Sequence, residues 1–429
     1  MRSSPAGKML SRPPRATAPV SRTPLTGAPH MRNIALMKPG RDLRIDLFRG
    51  LALVMIYIDH IPGNLYENFT SRNLGFSDAA EGFVFMSGLA AALAYGPALA
   101  KGLSWEGTSR LWGRAWLLYL VHILTAVWAI AIVSAAVQFW GNEAMLSKNA
   151  MKIYGTDPFG FLIGIATLGH QLGYVNILPM YMALLLMAPA LIRIGQRSKL
   201  ALLATSVGLW AATGLFRLDL PNYPMEGGWF FNPLAWQLVF SLGILTGLSL
   251  RQGKRLVPVK GWIIALAAGW LALTFVWIHN GWMLKNFGHA VWQLRQWNVP
   301  FFIAGFDKTF VSLPRLSHLL ALAYILSLPG IVPRIAEARV LEPIRMLGRH
   351  SLPIFALGTV LAIAGQTVKQ VHPGGIWQDS ILIFGGLALQ FAFAYGRDNF
   401  GAKAVARRRK ARDETEPAPA PVRRLHAAE

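Results

Sequence analysis

Arg41-Asp-Leu-Arg-Ile-Asp-Leu-Phe-Arg-Gly-Leu-Ala-Leu-Val-Met-Ile-Tyr-Ile-Asp59-His60 puts an arginine and a histidine into one apolar run. Its apolar part, Ile45–Ile61, approaches the roughly 20 residues with which an α-helix crosses the hydrocarbon core of a bilayer. Ionisable groups at that depth are costly and are normally kept for function. At about 100° per residue, the spacing from Arg49 to His60 returns to within about 20° of the same helix face, about 16 Å further along the axis. The two side chains therefore line one stripe, with Asp46 one turn before Arg49 and able to pair with it.

Nine further segments continue the pattern: Asp78–Ala98, Leu111–Phe139, Tyr174–Ile194, Leu200–Phe216, Pro233–Leu250, Gly261–His279, Leu316–Val332, Ser351–Val368 and Ile376–Tyr395. Phe159–Leu168 falls below spanning length and reads as re-entrant or interfacial. The expected fold is an all-α, polytopic integral membrane helix bundle of about ten transmembrane helices. Three regions follow: a basic tail over 1–44, a transmembrane domain over 45–396 and a basic, Pro/Ala-rich tail over 397–429.

Composition agrees. The chain has 429 residues, 54% hydrophobic and only 14% charged, against about 25% charged in a soluble domain. Its 42 Lys+Arg against 20 Asp+Glu give a net charge of +22, but long uncharged runs exclude the polar, basic surface of a nucleic-acid binder. Zero cysteines exclude disulfides, thiolate metal sites and a catalytic Cys. Short cytoplasmic loops carry the excess of Lys and Arg. With both termini inside, the sparse outer side holds only Arg72, Lys148, Lys152, Arg217, Lys285, Arg295, Lys308, Arg315 and Lys369. Trp277, Trp282, Trp292 and Trp297 crowd one outer loop, as belt anchors or as a carbohydrate platform.

Candidate chemistry gathers at the two ends of the Arg49–His60 stripe. Adjacent helical residues diverge by about 100°, so Asp59 can orient the His60 imidazole only if the helix unwinds at Pro62-Gly63; otherwise Asp59 meets another helix. Asp78 and Glu81 form a helix-start pattern at the depth of His60, from which Glu81 could converge on the imidazole. Ser87 and Gly88 suit close helix packing. At the inner end, Arg110 with Arg114 and Arg345 with Arg349 are i,i+4 pairs that, with Arg49, could bind phosphate. The remaining histidines have no metal-site spacing, and HExxH, GxSxG and phosphate-loop motifs are absent.

The Arg49 to His60 spacing, Arg110-Leu-Trp-Gly-Arg114 and Gly348-Arg-His-Ser-Leu-Pro-Ile-Phe355 resemble segments of the acyltransferase family 3 integral membrane acyltransferases. Arg41 to Leu53, Ile58-Asp-His-Ile-Pro62 and Gly75-Phe-Ser-Asp-Ala-Ala-Glu-Gly-Phe-Val-Phe-Met-Ser-Gly88 resemble the OpgC family, over roughly residues 40 to 396. This resemblance implies a multi-pass enzyme of the bacterial inner membrane that succinylates a periplasmic glucan. It implies acyl-CoA, as succinyl-CoA, for co-substrate, with no tightly bound cofactor and no nucleic-acid partner. On that reading His60, Asp59 and Glu81 are catalytic, while Arg49, Arg110, Arg114 and Arg349 bind the acyl donor. Arg72 would offer a positive group for the succinyl carboxylate. The alternatives are acetylation of another surface polysaccharide or lipid-linked sugar, and a proton-coupled transporter or flippase using His60 and Glu81 as a relay.

Overall fold

The computed structural model describes residues 42–415. The basic tail expected at the N-terminus lies outside them up to residue 41, as does the chain beyond 415. The described residues form helices and connecting turns without a named strand. In chain order the helices are α1 Leu43–Asp59, α2 Ala79–Tyr95, α3 Trp105–Trp140, α4 Ala144–Lys148 and α5 Pro158–Thr167. They continue with α6 Ile177–Arg197, α7 Lys199–Phe216, α8 Pro233–Arg251, α9 Gly261–His279 and α10 Gly281–Gln296. Then follow α11 Leu313–Leu326, α12 Ile331–Glu337, α13 Glu342–Arg349, α14 Ser351–Val371 and α15 Ile376–Thr415.

Seven of the described helices are long and apolar enough to cross a membrane: α3, α6, α7, α8, α9, α14 and the Ile376–Gly401 part of α15. Large apolar side chains stand exposed along them, Trp116, Leu124 and Trp128 on α3 and Trp262 and Leu266 on α9 among them. Lipid, rather than water, suits such faces, so the chain is a multi-pass membrane protein.

Three of the ten expected spans differ. Leu316–Val332 is not one straight helix: α11 and α12 are bent by 77°, at a turn containing Pro329 and Gly330, whose φ is +105°. A proline without an N–H and a glycine in the positive-φ region end one helix and redirect the next. The other two, α1 and α2, have 17 residues each, about 26 Å of helix. At the far end α15 continues to Thr415, beyond the boundary at 396 drawn from the sequence. Phe159–Leu168 is matched by the short apolar α5, which Leu168 closes with φ +66°.

Small residues set the closest approaches. A Cβ on Gly88 of α2 would clash with the Phe240 carbonyl oxygen of α8, and one on Gly243 of α8 with the Phe85 carbonyl oxygen of α2. α1 meets α13 in the same way: Gly50 abuts the Ile344 carbonyl and Gly348 the Asp46 carbonyl. Without a hydrophobic drive between helices in lipid, such backbone-to-backbone packing is a main source of cohesion. It holds α1, and with it Arg49 and His60, against α13.

Candidate active site

Arg49 and Arg114 share a cavity. It measures about 270 Å³ and lies among α1, α2, α3, α6 and α14, with Arg49, Ser87, Tyr95, Arg114, Tyr181, Ser351 and Phe355 in its wall. Arg114 lies one turn past Arg110, on the same face of α3, and Arg114 is the one that reaches the cavity wall. Arg110 stands exposed, paired with Glu106 at 2.6 Å, and is not part of the wall. Arg349 is also elsewhere. It binds Glu342 at 2.8 Å and Asp398 at 2.5 Å, while Asp398 also accepts from His350 Nε2 at 2.6 Å. Arg345 is buried against the carbonyls of Ala336 and Ala338, so it shapes the α12–α13 corner. The expected anion-binding ring therefore reduces to Arg49 and Arg114.

At the other end of the stripe, His60 closes α1 in αR conformation, with φ −82° and ψ −2°. Its carbonyl accepts from Gln366 Nε2 of α14 at 2.5 Å, and its ring meets Tyr174 edge-on with centroids 4.8 Å apart. A second, very small cavity of about 10 Å³ touches His60 and is walled by Tyr57, Phe355, Thr359 and Gln390 among others. Phe355 borders both cavities, the one with the arginines and the one that touches His60.

The two carboxylates expected beside His60 are engaged elsewhere. The helix does not unwind before His60, so Asp59 turns away and accepts from Thr70 Oγ1 at 2.7 Å. Asp78 and Glu81 form a full capping box at the start of α2. Glu81 Oε2 takes the Asp78 N–H at 3.0 Å, and its Oε1 takes Arg315 Nε at 2.7 Å. Asp78 Oδ2 in turn accepts from Lys308 Nζ at 2.5 Å and Arg315 Nη2 at 3.1 Å. Glu81 is fully buried, and a buried carboxylate needs such a partner. Beside this network, the Ser77 N–H and hydroxyl lie 3.3 and 2.7 Å from His318 Nδ1.

Lys308 and Asp78 lie within electrostatic reach of His60, whereas Arg72 acts on Asp59 and Tyr174. Lys308 is thus a basic residue whose charge reaches the imidazole. Sequence reading missed Lys308 and Arg315 as site residues. Their signal was placement: both are basic residues on the side expected to be poor in Lys and Arg. Among the described residues no group of His, Asp and Glu forms a metal site.

A family model described as OpgC protein matches residues 41–401. The chain belongs to the OpgC family. No curated protein and no solved structure matches the chain. The family match covers α1 through the membrane part of α15, and so includes both arginines of the larger cavity, His60 and the Lys308/Arg315 network.

Proposed function

We propose that the chain is a membrane O-acyltransferase that moves an acyl group, succinyl in the first instance, from acyl-CoA to a hydroxyl of a periplasmic glucan. OpgC membership implies a glucan-modifying acyltransferase; donor, acyl group and sidedness are this reading's own. Ten membrane crossings are expected, with α1, α2 and the bent α11–α12 pair added to the seven long helices. The positive-inside rule puts both termini and the Arg49/Arg114 cavity toward the cytoplasm of an inner membrane, and His60 toward the periplasm. The features grouped with acyltransferase family 3 fit the same arrangement.

The observation that carries the reading is the pair of cavities meeting at Phe355, arginines in one and the histidine beside the other. Guanidinium groups suit the phosphates of a nucleotide-bearing donor, and an acyl arm laid along the α1 stripe ends at His60. There the imidazole takes the proton of the glucan hydroxyl as its oxygen attacks the thioester carbonyl. The C–S bond breaks, the acyl group passes to oxygen, and the thiolate leaves to be protonated. A route through an acyl-imidazole uses the same residues. Lys308 supplies positive charge for the free carboxylate of a succinyl group.

A proton-coupled transporter is the weaker reading, because Glu81 is committed to Arg315 and to its own capping box and is poorly suited to relay protons. Mass spectrometry of periplasmic glucans tests the proposal in a deletion strain carrying either wild type or His60→Ala. Wild type should restore anionic substituents and His60→Ala should leave the glucans bare. Full substitution with His60→Ala overturns the catalytic assignment, and unchanged glucans in the deletion strain overturn the substrate.

A further inference from the structure

Among the described residues His60 Nδ1 is buried and has no hydrogen-bond partner, and Thr359 Oγ1 on α14 is in the same condition. Both residues border the same cavity of about 10 Å³. Two orphaned polar groups at one small hole are unusual, since buried polar atoms are nearly always satisfied. The volume is about that of one water-sized probe, and a buried water needs two to four polar partners. The wall supplies them: His60, Thr359 and the amide of Gln390, which is 1% exposed. The rest of the wall, Leu53, Ile56, Ile354 and Phe355 among it, is apolar.

The elements around the hole are held in place. Gln366, which grips the His60 carbonyl, lies seven residues after Thr359 on α14 and so on the same face. Gly358, next to Thr359, leaves room for the Gln390 side chain: a Cβ there would sit 3.0 Å from Gln390 Oε1. Tyr57, also in the wall, has its hydroxyl turned to the Leu382 carbonyl at 2.8 Å.

We propose that Thr359 and Gln390 position the His60 imidazole through one ordered water held between them. The water accepts from Nδ1–H and donates to Thr359 Oγ1, with Gln390 as its third partner. Nδ1 then carries the proton and Nε2 keeps the lone pair that a general base requires. This is the orienting role that a carboxylate fills in a serine-protease triad, transferred here to a hydroxyl, because Asp59 is engaged by Thr70. Thr359 touches neither donor nor acceptor and is a positioning residue.

The inference rests on His60 acting as the base, so the experiment separates the two. Full-length wild type, Thr359→Val, Thr359→Ser, His60→Ala and His60→Ala/Thr359→Val are purified and assayed with succinyl-CoA and glucan. Thr359→Val keeps shape and removes the hydroxyl. It should lower kcat about tenfold, the order of one hydrogen bond to a buried partner, with donor KM unchanged and the pH profile of kcat displaced. Thr359→Ser should restore kcat to within about twofold, and the double variant should match His60→Ala. Wild-type kcat and pH profile in Thr359→Val, with His60→Ala inactive, overturn the positioning role alone. Activity in His60→Ala overturns the base reading instead. Should Thr359→Val fail to fold, Gln390→Met removes another partner of the same water, and an unchanged pH profile there overturns the proposal.

Discussion

Arg110 and Arg114 are one turn apart on α3, carry the same charge and are equivalent in the sequence, yet replacing each with Ala should have very unequal consequences for the acyl donor. Arg114 is half-buried and lines the 270 Å³ cavity with Arg49. A hydrogen bond from a charged group contributes about 1.5–3 kcal/mol. At about 1.4 kcal/mol per factor of ten, its loss weakens donor binding roughly 10- to 150-fold, and partial exposure favours the lower end. The Arg110 side chain is 60% exposed and that of its partner Glu106 72%. Exposed pairs of this kind contribute little, so Arg110→Ala should shift donor KM by less than about twofold. The assay is direct: transfer releases a thiol, and with no cysteine in the chain a thiol reagent detects released CoA without background from the enzyme. Arg114→Ala should raise KM for the donor and leave kcat near wild type, the pattern of a group that binds ground and transition states alike. Equal effects of the two substitutions, or a loss of kcat at unchanged KM in Arg114→Ala, would refute the placement of the donor's phosphates in this cavity.

Two further outcomes follow from the network at the other end and from the loop after α7. Arg315→Leu strands the fully buried Glu81 without its cation, which costs about 3–5 kcal/mol. The purified variant should lose most of its thermal stability, and Glu81→Leu/Arg315→Leu should recover part of it; single variants as stable as wild type would show that the pair is not what holds α11 to α2. Asp219, in the loop between α7 and α8, has its carboxyl pushed up to about 6 by burial, against the opposing pull of backbone N–H donors from Leu220 and Trp229. The folded state therefore binds a proton more readily than the unfolded one, whose carboxylate titrates near 4. Asp219 contributes stability that is complete below about pH 4 and lost as pH rises through about 6. Asp219→Asn should flatten the fall in unfolding temperature between about pH 4 and 6, and an unaltered slope would exclude Asp219 as its source.

What the sequence disclosed and what it hid divide by distance along the chain. The Arg49–His60 stripe, the Asp78–Glu81 capping box and the close packing at Gly88 depend on residues within about three turns of one helix, where periodicity alone fixes relative direction. The capping box and the close packing at Gly88 have their counterparts in the structure. The assignments that moved all required knowing which helix lies opposite. Glu81 points at Arg315, 234 positions away, and Asp78 at Lys308, 230 positions away; no spacing rule connects them. The α11–α12 bend was written in Pro329-Gly330, but hydropathy runs smoothly across such a break and conceals it. Thr359 was the least visible, one hydroxyl in an apolar run, and threonine in such a helix ordinarily bonds back to its own preceding turn, as Thr367 does to Ile363 at 3.0 Å. That Thr359 makes no such bond is a fact about its neighbours rather than its own helix. A residue that acts through a cavity shared by three helices is legible only once those helices are packed together.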